Sequence, residues 1–159
     1  MIMVFKYIHL LALVIWIGSV VFFSFIGAPS IFQTVDKKTA GDVVGAIFPK
    51  YYLLGYICSL VSLATLGYLG YKAGYAQPVK TGLAILAIMG GITFYSGLVI
   101  GPKVHSVKYQ IRGETDEAKL APLRKQFGKL HGISMVLNLT VLLLGLALLY
   151  FTIRYMGRL

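Results

Sequence analysis

Four long stretches without Lys, Arg, Asp or Glu restrict what this sequence can fold into; they cover residues 7–26, 51–71, 81–101 and 130–153. Each supplies the roughly 20 apolar residues that an α-helix needs to cross about 30 Å of hydrocarbon. Because backbone groups in lipid must be hydrogen-bonded within their own segment, all four are predicted to be transmembrane helices. We therefore predict an all-α fold, a polytopic membrane four-helix bundle, with residues 1–159 as a single integral membrane domain.

The composition agrees with a membrane protein. The chain is 58% hydrophobic and only 13% charged, whereas about a quarter of the residues in a soluble domain are charged. Cys58 is the only cysteine, so an intramolecular disulfide is excluded. The first span is longer than the apolar region of a signal peptide and no A-x-A cleavage pattern follows it, so we expect it to be permanent.

The basic residues give an expected orientation. The net charge is +10, and four spans place both termini on one side. That side holds Lys6, Lys72, Lys80, Arg154 and Arg158, whereas the other holds Lys37, Lys38, Lys50, Lys103, Lys108, Arg112, Lys119, Arg124, Lys125 and Lys129. The richer side is expected to be cytoplasmic, which puts the termini outside the inner membrane. Because no compact basic domain stands apart from the spans, the expected partner is the lipid bilayer with its anionic headgroups, and not nucleic acid.

The connections between spans carry further predictions. Pro29 is expected to end or kink the first helix, and Asp36 to cap a short interfacial helix over residues 40–48. Pro49 suits the first turn of the second span. Before the fourth span, an amphipathic stalk is predicted from apolar residues on one helical face: Leu120, Leu123, Phe127 and Leu130. No internal repeat is evident.

Polar residues inside the spans are the candidate site residues, because ionisable groups in a membrane are functional candidates by default. His9 and Trp16 are seven residues apart and share one face of the first helix. His131 and Asn138 share a face of the fourth, on a stripe that should avoid lipid. These four residues are the predicted cofactor-binding set.

The histidines are also the candidate metal ligands: His9, His105 and His131. At 1.5 Å per residue, His9 and His131 should lie about 20 Å or more apart, so they cannot share one ion. His105 lies on the same side as His131 and could approach it, or it is a solvated loop histidine. For His9 the alternative to a functional role is an interfacial imidazole that is hydrogen-bonded to a carbonyl or serine.

Other residues have simpler interpretations. Small residues on spans two and three are expected to pack helices closely: Gly55, Ser59, Ser62, Thr93, Gly97 and Gly101. The sulfur atoms expected to be buried in the spans, and so available to soft metals, are those of Cys58, Met89 and Met135, but a buried Met more often fills a gap. No span contains an acidic residue, which disfavours proton-coupled transport.

Several segments, in order along nearly the whole chain, resemble one known family. They are "YIHLLALVIWIGSVVFFSFIGAPSIF", "AGDVVGAIFPKYYLLG", "IGPKV" and "LRKQFGKLHGISMVLNLTVLLLG". Together they resemble the small four-helix membrane family that includes the animal transmembrane protein associated with cisplatin resistance, whose bacterial members are mostly classed as a domain of unknown function. The resemblance implies a role in resistance. The loop between spans three and four is shorter here, so a function located in that loop does not carry over.

The first span alone has a second likeness. "HLLALVIWIG" followed by "PSIF" is similar to the first helix of bacterial copper-resistance membrane proteins and of haem-containing protoporphyrinogen oxidases. In the latter, a histidine of the first helix is implicated in holding haem. This likeness implies that His9 is a haem ligand.

Two functions therefore stay open, and so does the question of whether the chain is an enzyme. In the first, a b-type haem lies between the helices with His9 as an axial ligand and Trp16 beneath the ring. In the second, a non-enzymatic membrane protein handles soft metal complexes or small molecules. Four spans make a narrow conduit, which a homo-oligomer would widen. Haem b is the predicted cofactor, and no other is expected.

Overall fold

Four long helices make up the computed structural model, which describes residues 1–156. They are α1 (Ile2–Thr34), α2 (Lys37–Ala73), α3 (Gln77–Gly113) and α4 (Glu117–Met156), and all four are apolar and long enough to cross a membrane. No strand occurs in this range. The all-α membrane bundle is thereby confirmed. Arg158, which was counted among the basic residues near the termini, lies outside the described residues.

The helices form one closed bundle, in which each packs against the next and α1 returns against α4. The turn between α2 and α3 needs Gly74, whose φ of +86° lies in the left-handed region that favours glycine. The core lies along the bundle axis, and its largest fully buried members include Trp16, Tyr155, Leu13, Leu66, Leu69, Leu86, Met89 and Leu148. Small residues allow close helix contacts as predicted, since a Cβ on Gly55 would lie 2.8 Å from Thr93 Cγ2.

The helices are longer than the membrane is thick. With 33 to 40 residues each, they extend about 50 to 60 Å, against about 40 to 45 Å for a whole bilayer. The excess lies on the side opposite the termini, at the start of α2, the end of α3 and the start of α4. We call this the extension side, and the other the terminal side. The extensions have their own buried apolar residues: Ala40, Val44, Val107 and Leu120.

An ion-pair cluster joins the extensions of α2 and α3. One oxygen of Asp42 accepts from Lys108 Nζ at 2.7 Å and from Arg112 at 2.6 Å. Lys108 also donates to the Gly41 carbonyl oxygen at 2.8 Å. The hydrogen bond from Lys108, helped by Arg112, holds the pKa of the Asp42 carboxyl below its ordinary value.

The predicted separate interfacial helix over residues 40–48 is absent, because α2 runs without a break through Pro49. Ala40 and Val44 are buried, and the ion pairs of Asp42 tie this segment to α3. Its apolar face therefore meets protein and not the lipid surface. Asp36 does cap the helix as predicted, since its carboxylate accepts from the backbone N–H groups of Lys38 and Thr39. The predicted stalk is the start of α4.

Two π-helical turns interrupt α1 and α3, at Phe23–Gly27 and Ser96–Ile100. A proline follows closely after each, Pro29 in α1 and Pro102 in α3. Since proline cannot donate to the carbonyl four residues earlier, a wider turn before it lets the helix continue. This explains why α1 does not end at Pro29 but reaches Thr34.

The two halves of the chain share this construction, although no sequence repeat is evident. In each half, a helix with a π turn at an Ile-Gly pair (residues 26–27 or 100–101) and a proline within two residues after the pair precedes a helix that carries Phe-x-Lys, at residues 48–50 and 127–129. The shared motifs are short, so their similarity is visible only when the two π turns are known.

Candidate functional site

His9 lies at the centre of a hydrogen-bonded group that we call the His9 cluster: His9, Ser62, Thr65, Thr152 and Tyr155. His9 comes from α1, the serine and first threonine from α2, and the other two residues from α4. The imidazole is fully buried, which confirms that it faces the bundle interior. Its Nδ1 lies 3.2 Å from the Ser62 carbonyl oxygen and 3.0 Å from Thr65 Oγ1, and its Nε2 lies 2.7 Å from the Tyr155 hydroxyl.

These partners determine the tautomer of His9. The Ser62 carbonyl oxygen can only accept, so the proton of the neutral ring lies on Nδ1. A neutral ring fits the site, because no carboxylate lies among its partners and an uncompensated charge inside a membrane is costly. Nε2 is then an acceptor, and the Tyr155 hydroxyl donates to it. Thr152 Oγ1, 2.9 Å from that hydroxyl, completes the group.

A glycine on α3 makes room for the ring of Tyr155. A Cβ on Gly82 would lie 3.0 Å from the Tyr155 ring, so the ring packs directly on the α3 backbone. Tyr155 is itself fully buried. The cluster therefore joins α1, α2 and α4 by hydrogen bonds, and joins α3 by packing.

This arrangement leaves no nitrogen of His9 free for haem iron. An axial ligand needs a free ring nitrogen, but both nitrogens of His9 are within hydrogen-bonding distance of protein groups. The imidazole is fully buried, and it does not line the cavity described below. Iron could bind Nε2 only if Tyr155 moved away.

A second polar group lies nearer the extension side, and we call it the Asn138 cluster: Ser24, Tyr51 and Asn138. The Tyr51 hydroxyl donates to Asn138 Oδ1 at 2.6 Å, and Asn138 Nδ2 donates to Ser24 Oγ at 2.8 Å. Ser24 belongs to the π turn of α1. The three residues connect α1, α2 and α4, and all are only half-buried.

A small enclosed cavity adjoins the Asn138 cluster, and we call it the central cavity. All four helices line it: Trp16, Ser19, Val20, Tyr51, Tyr52, Gly55, Thr93, Ser96, Asn138 and Val141. Its volume of about 10 Å³ is close to the smallest that holds a single water molecule. Ser96 begins the π turn of α3, so both π turns contribute a serine to this region. Single π turns are frequent at functional sites.

The predicted site residues are thus divided between two places. Trp16 and Asn138 line the central cavity together, whereas His9 is not among its lining residues. None of the residues Ser24, Tyr51 and Tyr155 had been predicted as a site residue. All three take part through partners that are distant in sequence, so no local spacing indicated them.

His131 does not lie on the inward stripe that was predicted. It is exposed, and its ring stacks on Phe127 with centroids 6.1 Å apart. It precedes Met156 by 25 residues of α4, or about 37 Å, which exceeds the roughly 30 Å of hydrocarbon. An imidazole at that depth is solvated and needs no inward partner.

The described residues contain no cluster of three or more His, Cys, Asp or Glu side chains that would hold a metal ion. His105 is exposed and packs against Tyr109. Cys58 and Met89 are buried in the apolar core, whereas Met135 is exposed. Metal binding by the three histidines stays a prediction.

Comparisons with known proteins show which family the chain resembles. The family model described as "Domain of unknown function (DUF4149)" matches residues 11–113. A protein of Aquifex aeolicus (strain VF5), described as "Uncharacterized protein", is 34% identical over 137 residues, which are 86% of each chain. No solved structure matches the chain significantly.

Proposed function

This chain belongs to the DUF4149 family, and from that premise we propose that it is a non-enzymatic membrane protein, of resistance or export type, that binds a small solute in its central cavity. The observation that carries the proposal is the position of this cavity. It lies where all four helices meet, and polar side chains line it inside otherwise apolar spans. Polar groups at such depth are costly, and they commonly mark a path for ions or substrates.

The backbone around the cavity supports movement of a solute. Ser96 of the π turn Ser96–Ile100 lines the cavity, and Ser24 of the π turn Phe23–Gly27 accepts from the lining residue Asn138. Each π turn replaces part of the regular hydrogen-bond ladder. A solute larger than one water molecule requires the helices to separate. The π turns are the places where α1 and α3 can bend without breaking a regular helical turn.

The resemblance to the family with a cisplatin-associated member supports a resistance role, including the handling of soft metal complexes. The sulfur atoms of Cys58 and Met89 lie in the core and do not line the cavity. The solute is therefore recognised first by hydrogen bonds. A homo-oligomer would extend the same site into a wider path.

The test is a comparison of two variants of α4 in cells. A bacterial strain that produces the wild-type chain is exposed to cisplatin, to silver ions and to copper ions, and both growth and cellular metal content are measured. Asn138→Leu should abolish any tolerance that the wild type gives, because it removes the hydrogen bonds to Tyr51 and Ser24. Thr140→Leu is the matched control, since Thr140 Oγ1 donates only to the Val136 carbonyl of its own helix.

Equal tolerance in the wild type and Asn138→Leu, with equal amounts of protein in the membrane, would contradict the proposal. The proposal would also be contradicted if cells that produce the wild-type chain were no more tolerant of any of the three probes than cells that lack the chain.

Haem ligation by His9 is the second candidate, and the complete burial of this imidazole inside a four-helix bundle favours it. It requires that Tyr155 give up its hydrogen bond to Nε2. Purified protein that is supplied with haem should then show a Soret band that shifts on reduction and is lost in His9→Ala. A colourless protein would contradict haem binding, and it would leave the cavity proposal unaffected.

A further inference from the structure

The extension side of the bundle is held by charged contacts that join α2 to α3. Asp42 accepts from both Lys108 and Arg112, and Lys108 also donates to the Gly41 carbonyl oxygen. The other ion pairs within residues 1–156 each connect residues of one segment, at 116–119 and at 117–124. We call Asp42, Lys108 and Arg112 the Asp42 group, and among the described residues it is the only ion-pair group that links two helices.

The Asp42 group forms only when the two extensions are in close contact. The Lys108 ammonium lies over the backbone of α2, where a Cβ on Gly45 would be 3.5 Å from Nζ and a Cβ on Gly41 would be 3.8 Å from it. The contacts of Nζ with Asp42 and with the Gly41 carbonyl oxygen are 2.7 and 2.8 Å long. Because N–H···O hydrogen bonds span about 2.7–3.2 Å, a separation of about 1 Å would break both contacts.

The central cavity borders on the same interface between α2 and α3. Tyr52 lines the cavity, and its ring lies against the α3 backbone at the base of the extension. A Cβ on Gly97 would lie 2.8 Å from Tyr52 Cγ, and one on Gly101 would lie 3.8 Å from Cε2. Tyr52 can keep these contacts only while α2 and α3 stay together. Separation of the two extensions would therefore move Tyr52 away from α3 and open this wall of the cavity.

The π turn Ser96–Ile100 lies on α3 between the cavity and the Asp42 group. Ser96 lines the cavity, and Lys108 follows the turn by eight residues, or about 12 Å. Pro102 has no N–H to donate to the Leu98 carbonyl oxygen, so one hydrogen bond of the helical ladder is absent at this point. Helices bend at prolines and at π turns. The extension of α3 can thus pivot here while the transmembrane part of the helix keeps its packing.

The two ends of the bundle are held by contacts of different kinds. On the terminal side, the His9 imidazole is fully buried, and its hydrogen bonds are shielded from water. On the extension side, the Asp42 side chain is 47% exposed, so water and salt compete with its ion pairs. Exposed ion pairs stabilise a contact only weakly. The extension side is therefore the end at which the helices separate more easily.

From this geometry we propose that the Asp42 group is a latch that keeps the central cavity closed toward the extension side. When the latch breaks, the extension of α3 pivots at the π turn, Tyr52 leaves the α3 backbone, and the cavity opens to the water on that side. This rests on the proposed function, and it gives the regulation of the same site: the solute enters or leaves while the latch is broken. A closed cavity of about 10 Å³, which has room for about one water molecule, needs such an opening before any larger solute can bind.

The fluorescence of Trp16 reports on access to the cavity, because Trp16 is the only tryptophan in the chain, is 2% exposed and lines the cavity. Acrylamide quenches indole on contact. Since acrylamide is uncharged, the loss of a charge from the protein does not change its local concentration. Quenching is measured in detergent-solubilised full-length protein, for the wild type and for Asp42→Asn. We expect Asp42→Asn to raise the quenching constant about fivefold, because the loss of exposed ion pairs shifts an equilibrium by roughly this factor.

Asp116→Asn is the matched control. It removes a carboxylate of similar exposure from the same side, but the partner of that carboxylate, Lys119, belongs to the same segment, so quenching should equal that of the wild type. Asp42→Glu keeps a carboxylate and should restore most of the protection. Salt provides a second readout, since potassium chloride at high concentration screens exposed ion pairs. It should raise quenching in the wild type and leave Asp42→Asn nearly unchanged.

Equal quenching in the wild type and Asp42→Asn would overturn the proposal, and so would equal rises in Asp42→Asn and Asp116→Asn. A rise that comes with a loss of helical circular dichroism would also overturn it, because the bundle would then be unfolding and not opening. None of these results changes the expected loss of metal tolerance in Asn138→Leu, and a failed tolerance test would not change the quenching. A wrong latch and a wrong function are therefore distinguishable.

Discussion

The His9 cluster and the Asn138 cluster both use polar side chains from α1, α2 and α4, but they differ in burial and in their access to a cavity. In the His9 cluster both ring nitrogens are paired, the imidazole is fully buried, and within residues 1–156 the buried Ser62 Oγ has no partner. The Asn138 cluster is half-buried and adjoins the central cavity. A polar cluster without access to a cavity can only hold helices together, whereas a cluster beside a cavity can also bind a solute. The difference separates a stabilising group from a binding site within one membrane bundle.

His9→Ala should have the largest effect on stability. It leaves Tyr155, Thr65 and the Ser62 carbonyl without their partner in a dry site, which should cost roughly 3 kcal/mol. Thermal unfolding in detergent, followed by circular dichroism, measures the change. The matched control is His131→Ala, which removes the same side chain from an exposed position and should shift the free energy of unfolding by less than about 0.5 kcal/mol. Equal losses would contradict the distinction between the two histidines.

Gly55→Ala should have the next largest effect, and it acts on the open cluster. The new Cβ would lie 2.8 Å from Thr93 Cγ2 and 3.5 Å from Trp16 Nε1. Overpacking of this kind costs about 1–3 kcal/mol, and the better helix propensity of alanine offsets up to about 1 kcal/mol of it. The cavity should fill as well, so the emission of Trp16 should change.

Gly18→Ala is the control for that variant, because nothing lies within 4 Å of its Cβ position. It should be neutral or slightly stabilising. A Gly55→Ala protein with wild-type stability and wild-type Trp16 emission would show that the cavity wall is not as tight as the structure indicates.

The fold was predictable because the membrane imposes it. Four uncharged stretches of about 20 residues allow few solutions besides spanning helices. The continuity of α2 was not predictable, since Pro49 is equally compatible with a first helical turn and with the interior of a long helix in a packed bundle. The burial of Ala40 and Val44 depends on the extension of α3, which is far away in sequence.

The candidate site was predictable only in part. Helical spacing placed His131 and Asn138 on one face, but periodicity gives the face and not the depth at which the membrane ends. His131 is solvated for that reason, while Asn138 lies inside. The partners of His9 are 53 and 146 residues away, so its burial could be inferred from the sequence and its hydrogen bonds could not.

Removal of single hydroxyl groups gives a smaller and more direct test of the dry and open clusters. Tyr155→Phe leaves His9 Nε2 without a donor where no water can reach, and should cost about 1–2 kcal/mol. Tyr51→Phe leaves Asn138 Oδ1 unpaired beside a cavity that can admit water, and should cost about half as much. Unfolding curves of both variants, with the exposed Tyr150→Phe as control, measure the difference. A larger loss for Tyr51→Phe would reverse the assignment of which cluster is dry.

A fall in pH should have the smallest effect on stability, and this effect should be limited to the extension side. The pKa of the Asp42 carboxyl is held below its ordinary value of 3.8 by the hydrogen bonds from Lys108 and Arg112. Because the folded-state pKa is the lower one, this stabilisation is complete above about pH 4 and is lost as the pH falls through the folded-state value. As the pH falls, the hydrogen-exchange protection factors, which are corrected for the intrinsic exchange rate at each pH, should therefore decrease first in the extensions of α2 and α3, while the His9 cluster stays protected.

Asp42→Asn serves as the control for acid. This variant lacks the carboxylate at every pH, so the protection factors of its extensions should be lowered to the same extent at pH 6 and at pH 3. The effect is small because exposed ion pairs contribute little to stability. If acid instead released the terminal side first, the His9 cluster, and not the Asn138 cluster with its cavity, would lie at the weaker end of the bundle.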